Sequence, residues 1–341
     1  MNTKMLVGVL AVAGLAIAVY ALLGGDAKVE FATRLGTPGN GSPDASLPEL
    51  PMHIEFDEAN SRIISGQQNG DIVAWDINSG ARTELANTTG LFAYCRDRNL
   101  LLLHDQEGVI LKDIKDDKRQ LVIEGIYHHA AWNGDCSAFT IANRTAKEVK
   151  RWRTADLSNH IVLYTAEPVR NGLAMSDAGN IIAAAEGSYA DATGHDTKLE
   201  VFVIADNDGY SRNSPKADGA TILGMWQMAF TPDGQSLIVP SHTNGQSGLR
   251  SLVAHTAGER WRKEAFQSYW VRAIATSPDN KLIATGDDKG WLRIWSARNG
   301  ALDHELQTGQ AIQSASFSDN GNKLAVALWD STIAILDLSE F

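Results

Sequence analysis

The sequence predicts an all-β chain, a seven-bladed β-propeller preceded by one N-terminal transmembrane helix. Three observations predict it. A unit of turn, strand, turn and strand recurs seven times, its spacing is that of a propeller blade, and the first apolar run is long enough to cross a bilayer.

The unit is plainest over residues 276–300, TSPDNKLIATGDDKGWLRIWSARNG. Ser277, Pro278, Asp279 and Asn280 are turn residues for physical reasons: proline presets φ, and the Ser, Asp and Asn side chains bond to nearby backbone. Residues 281–285 and 291–295 read as short strands, with the polar turn 287–290 between them. A lone meander of this size cannot bury its apolar positions, so the unit must recur. It does, with first turns centred on Ala59, Asp97, Asp135, Ala178, Asp233, Asp279 and Asn320, spaced 38 to 55 residues apart. Four short strands per such period make a blade, and seven periods make seven blades.

On these residues the chain resembles the WD-repeat family, over roughly residues 51–341. The resemblance rests on Ile72-Val73-Ala74-Trp75-Asp76 with Gly80, on Leu292-Arg293-Ile294-Trp295 with Gly300, and on the turns Phe230-Thr231-Pro232-Asp233-Gly234 and Phe317-Ser318-Asp319-Asn320-Gly321. Period and turn chemistry match. The Gly-His pair that such repeats carry before the innermost strand is missing from its place, and Trp75-Asp76 is the one complete Trp-Asp pair at its expected position. This is a divergent pattern, of the kind bacterial propellers also show.

In order, the chain divides into a membrane segment (1–27), a closing strand (28–35), a linker (36–51) and the propeller (52–341). The run from Met5 to Leu23 holds 19 residues without a charge, the length of a membrane span and more than a cleaved signal needs. Gly25-Asp26-Ala27 keeps signal cleavage, and so a secreted or periplasmic product, open as the alternative. Lys4 on the short side favours an N-terminus in the cytoplasm, which predicts a single-pass protein of the inner membrane with its propeller in the periplasm. Residues 28–35 alternate apolar and polar. They are the obvious fourth strand for the last blade, whose own chain runs out after three. That strand would start on the face bearing the first turns, so this face, with Asp97, Asp135, Asp233 and Asp279, would look toward the membrane. Residues 36–51 carry four prolines and three glycines and read as an extended linker.

Aligning the units places Met52, Gly90, His128, Asn171, Trp226, Arg272 and Gln313 at one position, the start of each innermost strand. The resemblance implies that this ring lies at the outward mouth of the channel and binds partners. Trp226 and Arg272 are residue types that dominate interface energetics, and Tyr269 and Trp270 stand beside Arg272. Packing between blades is the competing role for these aromatics. The sites expected for partner contact are therefore Trp226, Arg272, Trp270, Tyr269, His128, Asn171 and Gln313.

Other constellations point to no chemistry. His128 and His129, adjacent on a strand, would face opposite ways and could not readily share a metal. Asp206-Asn207-Asp208-Gly209 lacks the acidic twelfth residue of a calcium loop, Ala217 standing there. No Gly-x-Ser-x-Gly or His-Glu-x-x-His frame occurs, so no catalytic residue, metal or cofactor is expected. Residues 147–153 (KEVKRWR) and 260–263 (RWRK) are basic, yet a net charge of −11 opposes a nucleic-acid partner. Cys95 and Cys136, the only cysteines, fall near first turns of neighbouring blades on one face; export would permit a disulfide if their Cα atoms come within about 7 Å.

The sequence thus predicts a non-catalytic protein-binding scaffold, an accessory or assembly subunit of a membrane complex. A periplasmic propeller enzyme with its site at the channel mouth, hydrolase or redox, and a small-ligand sensor are the alternatives.

Overall fold

The computed structural model describes residues 31, 33–38, 49–187, 198–215, 227–243, 246–266 and 270–339. It is a ring of seven four-stranded antiparallel sheets, as the repeat spacing predicted. The innermost strands are Pro51–Asp57, Phe92–Cys95, His129–Trp132, Val169–Met175, Ala229–Phe230, Val271–Thr276 and Ile312–Phe317, which head blades 1 to 7 in that order. Each blade then meanders outward through three more strands. The innermost strands begin at what we call the upper face and end in first turns at the lower face.

The seven first turns share one construction. The carbonyls of Glu58, Arg96, Asn133, Ser176, Thr231, Ser277 and Ser318 each accept the N–H three residues on, at 2.8–3.3 Å. The donating residue is left-handed every time: Ser61, Asn99, Cys136, Gly179, Gly234, Asn280 and Gly321, with φ between 50° and 73°. Glycine and asparagine hold five of those places because they tolerate that conformation best. In blades 4 to 7 the first residue adds a hydroxyl that accepts a second N–H five residues on, as Ser277 does from Leu282 at 2.9 Å and Thr231 from Ser236 at 3.0 Å. The turn therefore fixes the register of the hairpin that follows it.

The core lies between blades. At the junction of blades 7 and 1, Ile54, Phe56, Ile63, Val73 and Trp75 pack on Ala325, Ala327, Ile333 and Ile335. Residues Thr33–Leu35 pair antiparallel with Ile333–Asp337 and give blade 7 its fourth strand. Leu35 is 2% exposed in that cluster, and Arg34 reaches Asp330 at 3.3 Å. The innermost strands also meet here, where Ser314 Oγ accepts the Ile54 N–H at 3.2 Å and Ser316 Oγ accepts that of Phe56 at 3.0 Å. Ring closure thus uses both an outer strand and inner hydroxyls.

The helix expected over residues 1–27, the first part of the closing strand and most of the linker lie outside the described residues. Among the described residues no helix is long and apolar enough to cross a membrane.

Candidate functional site, the channel and its two mouths

The seven innermost strands enclose a channel of about 1070 Å³. Its wall is built of small residues where the strands converge: Ala93, Ala130, Ala131, Gly172, Ala174, Ala275 and Ala315 let the backbones approach. Gln227 spans two neighbouring blades, accepting the Ile274 N–H at 3.2 Å and donating to Ser314 at 3.3 Å. The wall is thereby held rigid by hydrogen bonds as well as by packing.

At the upper mouth, blades 6 and 7 present one continuous arrangement. The Arg272 guanidinium lies over the Trp329 ring, 5.2 Å from its centroid, a cation–π geometry. Trp329 Nε1 donates to Gln313 Oε1 at 2.8 Å, and its backbone N–H is held by Ala311 O at 3.0 Å. Burial pushes the Arg272 pKa down, with Asp288 pulling the other way. The expected contact residue Gln313 is 8% exposed; it acts by fixing Trp329. Met52 from blade 1 stands 38% exposed on the same rim. Trp329 was not singled out by the sequence pattern because it sits in the second hairpin of its blade, not at the start of an innermost strand.

On the far side of the mouth, His128 and His129 line the channel beside Arg144. Burial and the Arg144 charge lower both imidazole pKa values, His129 to about 4, so both rings are neutral at pH 7. Trp270 is partly buried, and its carbonyl accepts the Asp288 N–H at 3.2 Å. Asn171 lies in the strand Val169–Met175, with its side chain outside the described residues. Trp226 and Tyr269 fall outside them too.

The lower mouth has the opposite sign. Asp177 and Asp319 carry raised pKa values, burial being the larger cause and the repulsion of Asp97 a smaller one. Arg96 is the cation placed among them, bonded to Asp319 at 2.8 Å. Next to it Asp57, 1% exposed, accepts from Arg62 at 2.7 Å and from Tyr94 at 2.7 Å, which ties blade 1 to blade 2. Cys95 and Cys136 have Cα atoms 6.0 Å apart and form a disulfide between blades 2 and 3.

The basic stretches are absorbed by the fold. Trp152 is 1% exposed and stacks on Phe139, while Lys147, Lys150 and Arg153 pair with Glu167, Glu148 and Asp208. Trp261 donates to Ala297 O at 3.1 Å, and Arg262 pairs with Glu259. Among the described residues no three His, Cys, Asp or Glu side chains converge on a metal position. The turn 206–209 closes on itself by an Ala205 N–H to Gly209 O bond of 2.7 Å. A buried carboxyl pair that the sequence did not suggest lies in blade 4, Glu186 on its second strand and Glu200 on its third. Glu186 (0% exposed) takes the Glu167 N–H at 2.9 Å, and burial followed by the neighbouring Glu200 pushes its pKa up to about 8.

Comparison with known proteins places this geometry. Residues 263–296, from the last strand of blade 5 to the third of blade 6, match the family model described as WD domain, G-beta repeat. The small ribosomal subunit protein RACK1y of Oryza sativa subsp. japonica is 37% identical over 79 residues, 23% of this chain and 23% of that protein. The WD repeat-containing protein SL1-17 of Schistosoma mansoni is 25% identical over 115 residues, 34% of this chain and 37% of that protein. These matches span well under half of either relative. Among solved structures, Kuenenia stuttgartiensis hydrazine synthase superposes with a TM-score of 0.66 at 13% identity, covering 87% of this chain and 98% of that one. U3-55K gives 0.66 at 13% identity, covering 89% and 100%. At that identity the likeness is one of fold alone. One repeat matches the family model, WD-repeat proteins match over parts of the sequence, and the fold is seven four-stranded blades: the chain is a seven-bladed β-propeller similar to WD-repeat proteins over those stretches.

Proposed function

We propose that this chain is a non-catalytic platform, held at a membrane by its N-terminal segment, that binds another protein through the upper mouth of the channel. The observation that carries the reading is the rim formed by Arg272, Trp329 and Met52 over the buried Gln313. Arginine and tryptophan are the side chains that most often dominate interface energy, and here a rigid wall presents them already oriented.

Two further observations support the compartment and the anchor. A disulfide between Cys95 and Cys136 fits an oxidising space such as the periplasm, because cytosolic thiols are kept reduced. The closing strand rises from the lower face, so an anchor over residues 5–23 would hold that face toward the bilayer and leave the upper mouth free. The acidic lower mouth would stand off from anionic lipid, and the N-terminal segment would be the sole membrane contact.

Fractionation of the native host tests the anchor. The full chain should sediment with membranes and withstand alkaline washing, while a chain lacking residues 1–27 should be released; a full-length chain recovered in the soluble fraction contradicts it.

A further inference from the structure

The two mouths of the channel differ in how their charges are satisfied. On the upper face the carboxylates are largely engaged within the fold: Asp330 with Arg34, Asp287 with Arg293, Asp105 with Arg119 and Glu167 with Lys147. Two upper-face cations are not. Among the described residues, no carboxylate lies within ion-pair distance of Arg272 or Arg144. The Nε atom of each is buried with no hydrogen-bond partner among the described residues. Among the described residues, Asp288 is the carboxylate whose charge acts on Arg272.

Such atoms are costly. A buried cationic donor left without an acceptor forgoes a charge-assisted hydrogen bond, which leaves the guanidinium charge uncompensated and favours an anion at the outer amino groups of these half-buried side chains. Trp329 keeps the Arg272 guanidinium in one orientation, so little side-chain entropy remains to be lost when a planar carboxylate docks. On the opposite rim Arg144 donates its backbone N–H toward His128 Nδ1 at 3.5 Å, and the neutral imidazoles beside it add hydrogen-bonding capacity without charge. The lower mouth reverses the field, with Asp177 and Asp319 gathered around Arg96.

We infer that the upper mouth receives an acidic segment of a partner protein, with one carboxylate on Arg272 over Trp329 and another at Arg144 across the channel. This rests on the upper mouth being the partner-binding face and names the chemistry of what binds there. An acidic peptide is favoured over a nucleic acid because it supplies a few placed carboxylates, whereas a long polyanion would meet the repulsion of a chain with net charge −11.

The test titrates the full chain in detergent with a short oligo-glutamate peptide, an oligo-lysine of the same length, a single-stranded oligonucleotide and vesicles of anionic lipid. The expected result is that oligo-glutamate binds best and weakens with added salt. Arg272→Gln and Arg144→Gln should each weaken it on the order of tenfold, and Arg272→Lys should keep part of the affinity. Melting temperatures of the variants establish that they fold. Tighter binding of oligo-lysine, oligonucleotide or vesicles overturns the assignment, and so does a folded Arg272→Gln that binds oligo-glutamate as wild type does. A natural partner that co-purifies equally with wild type and Arg272→Gln would leave the platform standing and remove this inference. The absence of any stoichiometric partner would remove the platform itself.

Discussion

Glu186 is where pH should be felt most. Its carboxyl keeps its proton in the folded protein up to about pH 8, because burial and then Glu200 oppose ionisation, against an ordinary value of 4.5 in the unfolded chain. Between those limits the unfolded state loses a proton that the folded state holds, so stability falls as pH rises. The contribution is complete below pH 4.5 and gone above pH 8. Calorimetric melting across this range should show the decline for wild type and a flatter profile for Glu186→Gln; identical profiles would refute the raised Glu186 value. Nothing in the sequence revealed this pair, since Glu186 and Glu200 lie on adjacent strands at opposite ends of an insertion and only the sheet register brings them together.

At the level of elements, the first turns and the closing strand carry most of the design. Ser277→Ala removes the acceptor for the Leu282 N–H and should cost about 1–2 kcal/mol in urea unfolding. Leu35→Ala should cost about 2–4 kcal/mol, because Leu35 is 2% exposed in the cluster that seals blades 7 and 1; a loss below half a kcal/mol would mean the closing strand is dispensable. Gly286→Val should destabilise by about 1–3 kcal/mol through overpacking, since a Cβ there would run into Ile312 of the next blade. These elements were the legible ones. Proline, aspartate, asparagine and glycine in a turn act locally, so Pro278-Asp279-Asn280 declares itself in one dimension. Cys136, left-handed at the place where five sister turns have glycine or asparagine, does not. The mouth was half legible for a related reason. Arg272 and Gln313 follow from counting along repeats, whereas Trp329 joins them only through the contact of two blades.

On the scale of the whole molecule, the ring is held by interfaces that each link only neighbouring blades, with the disulfide as one covalent staple. The bridge closes a separation of 41 residues, for which chain entropy gives a stabilisation of about 4 kcal/mol. Denatured, unreduced protein from the native host should show no free thiol, and Cys95→Ser with Cys136→Ser should melt well below wild type. Two reactive thiols per chain would argue against an oxidising compartment.

The most direct test of the platform reading is quantitative co-purification from membranes of the native host, comparing wild type, the upper-mouth variant Arg272→Gln with Trp329→Ala, and the lower-mouth variant Asp177→Asn. A stoichiometric protein partner is expected with wild type and with the lower-mouth variant, and its loss from the upper-mouth variant at unchanged melting temperature. A partner retained by the upper-mouth variant, or no partner with any of the three, would contradict it.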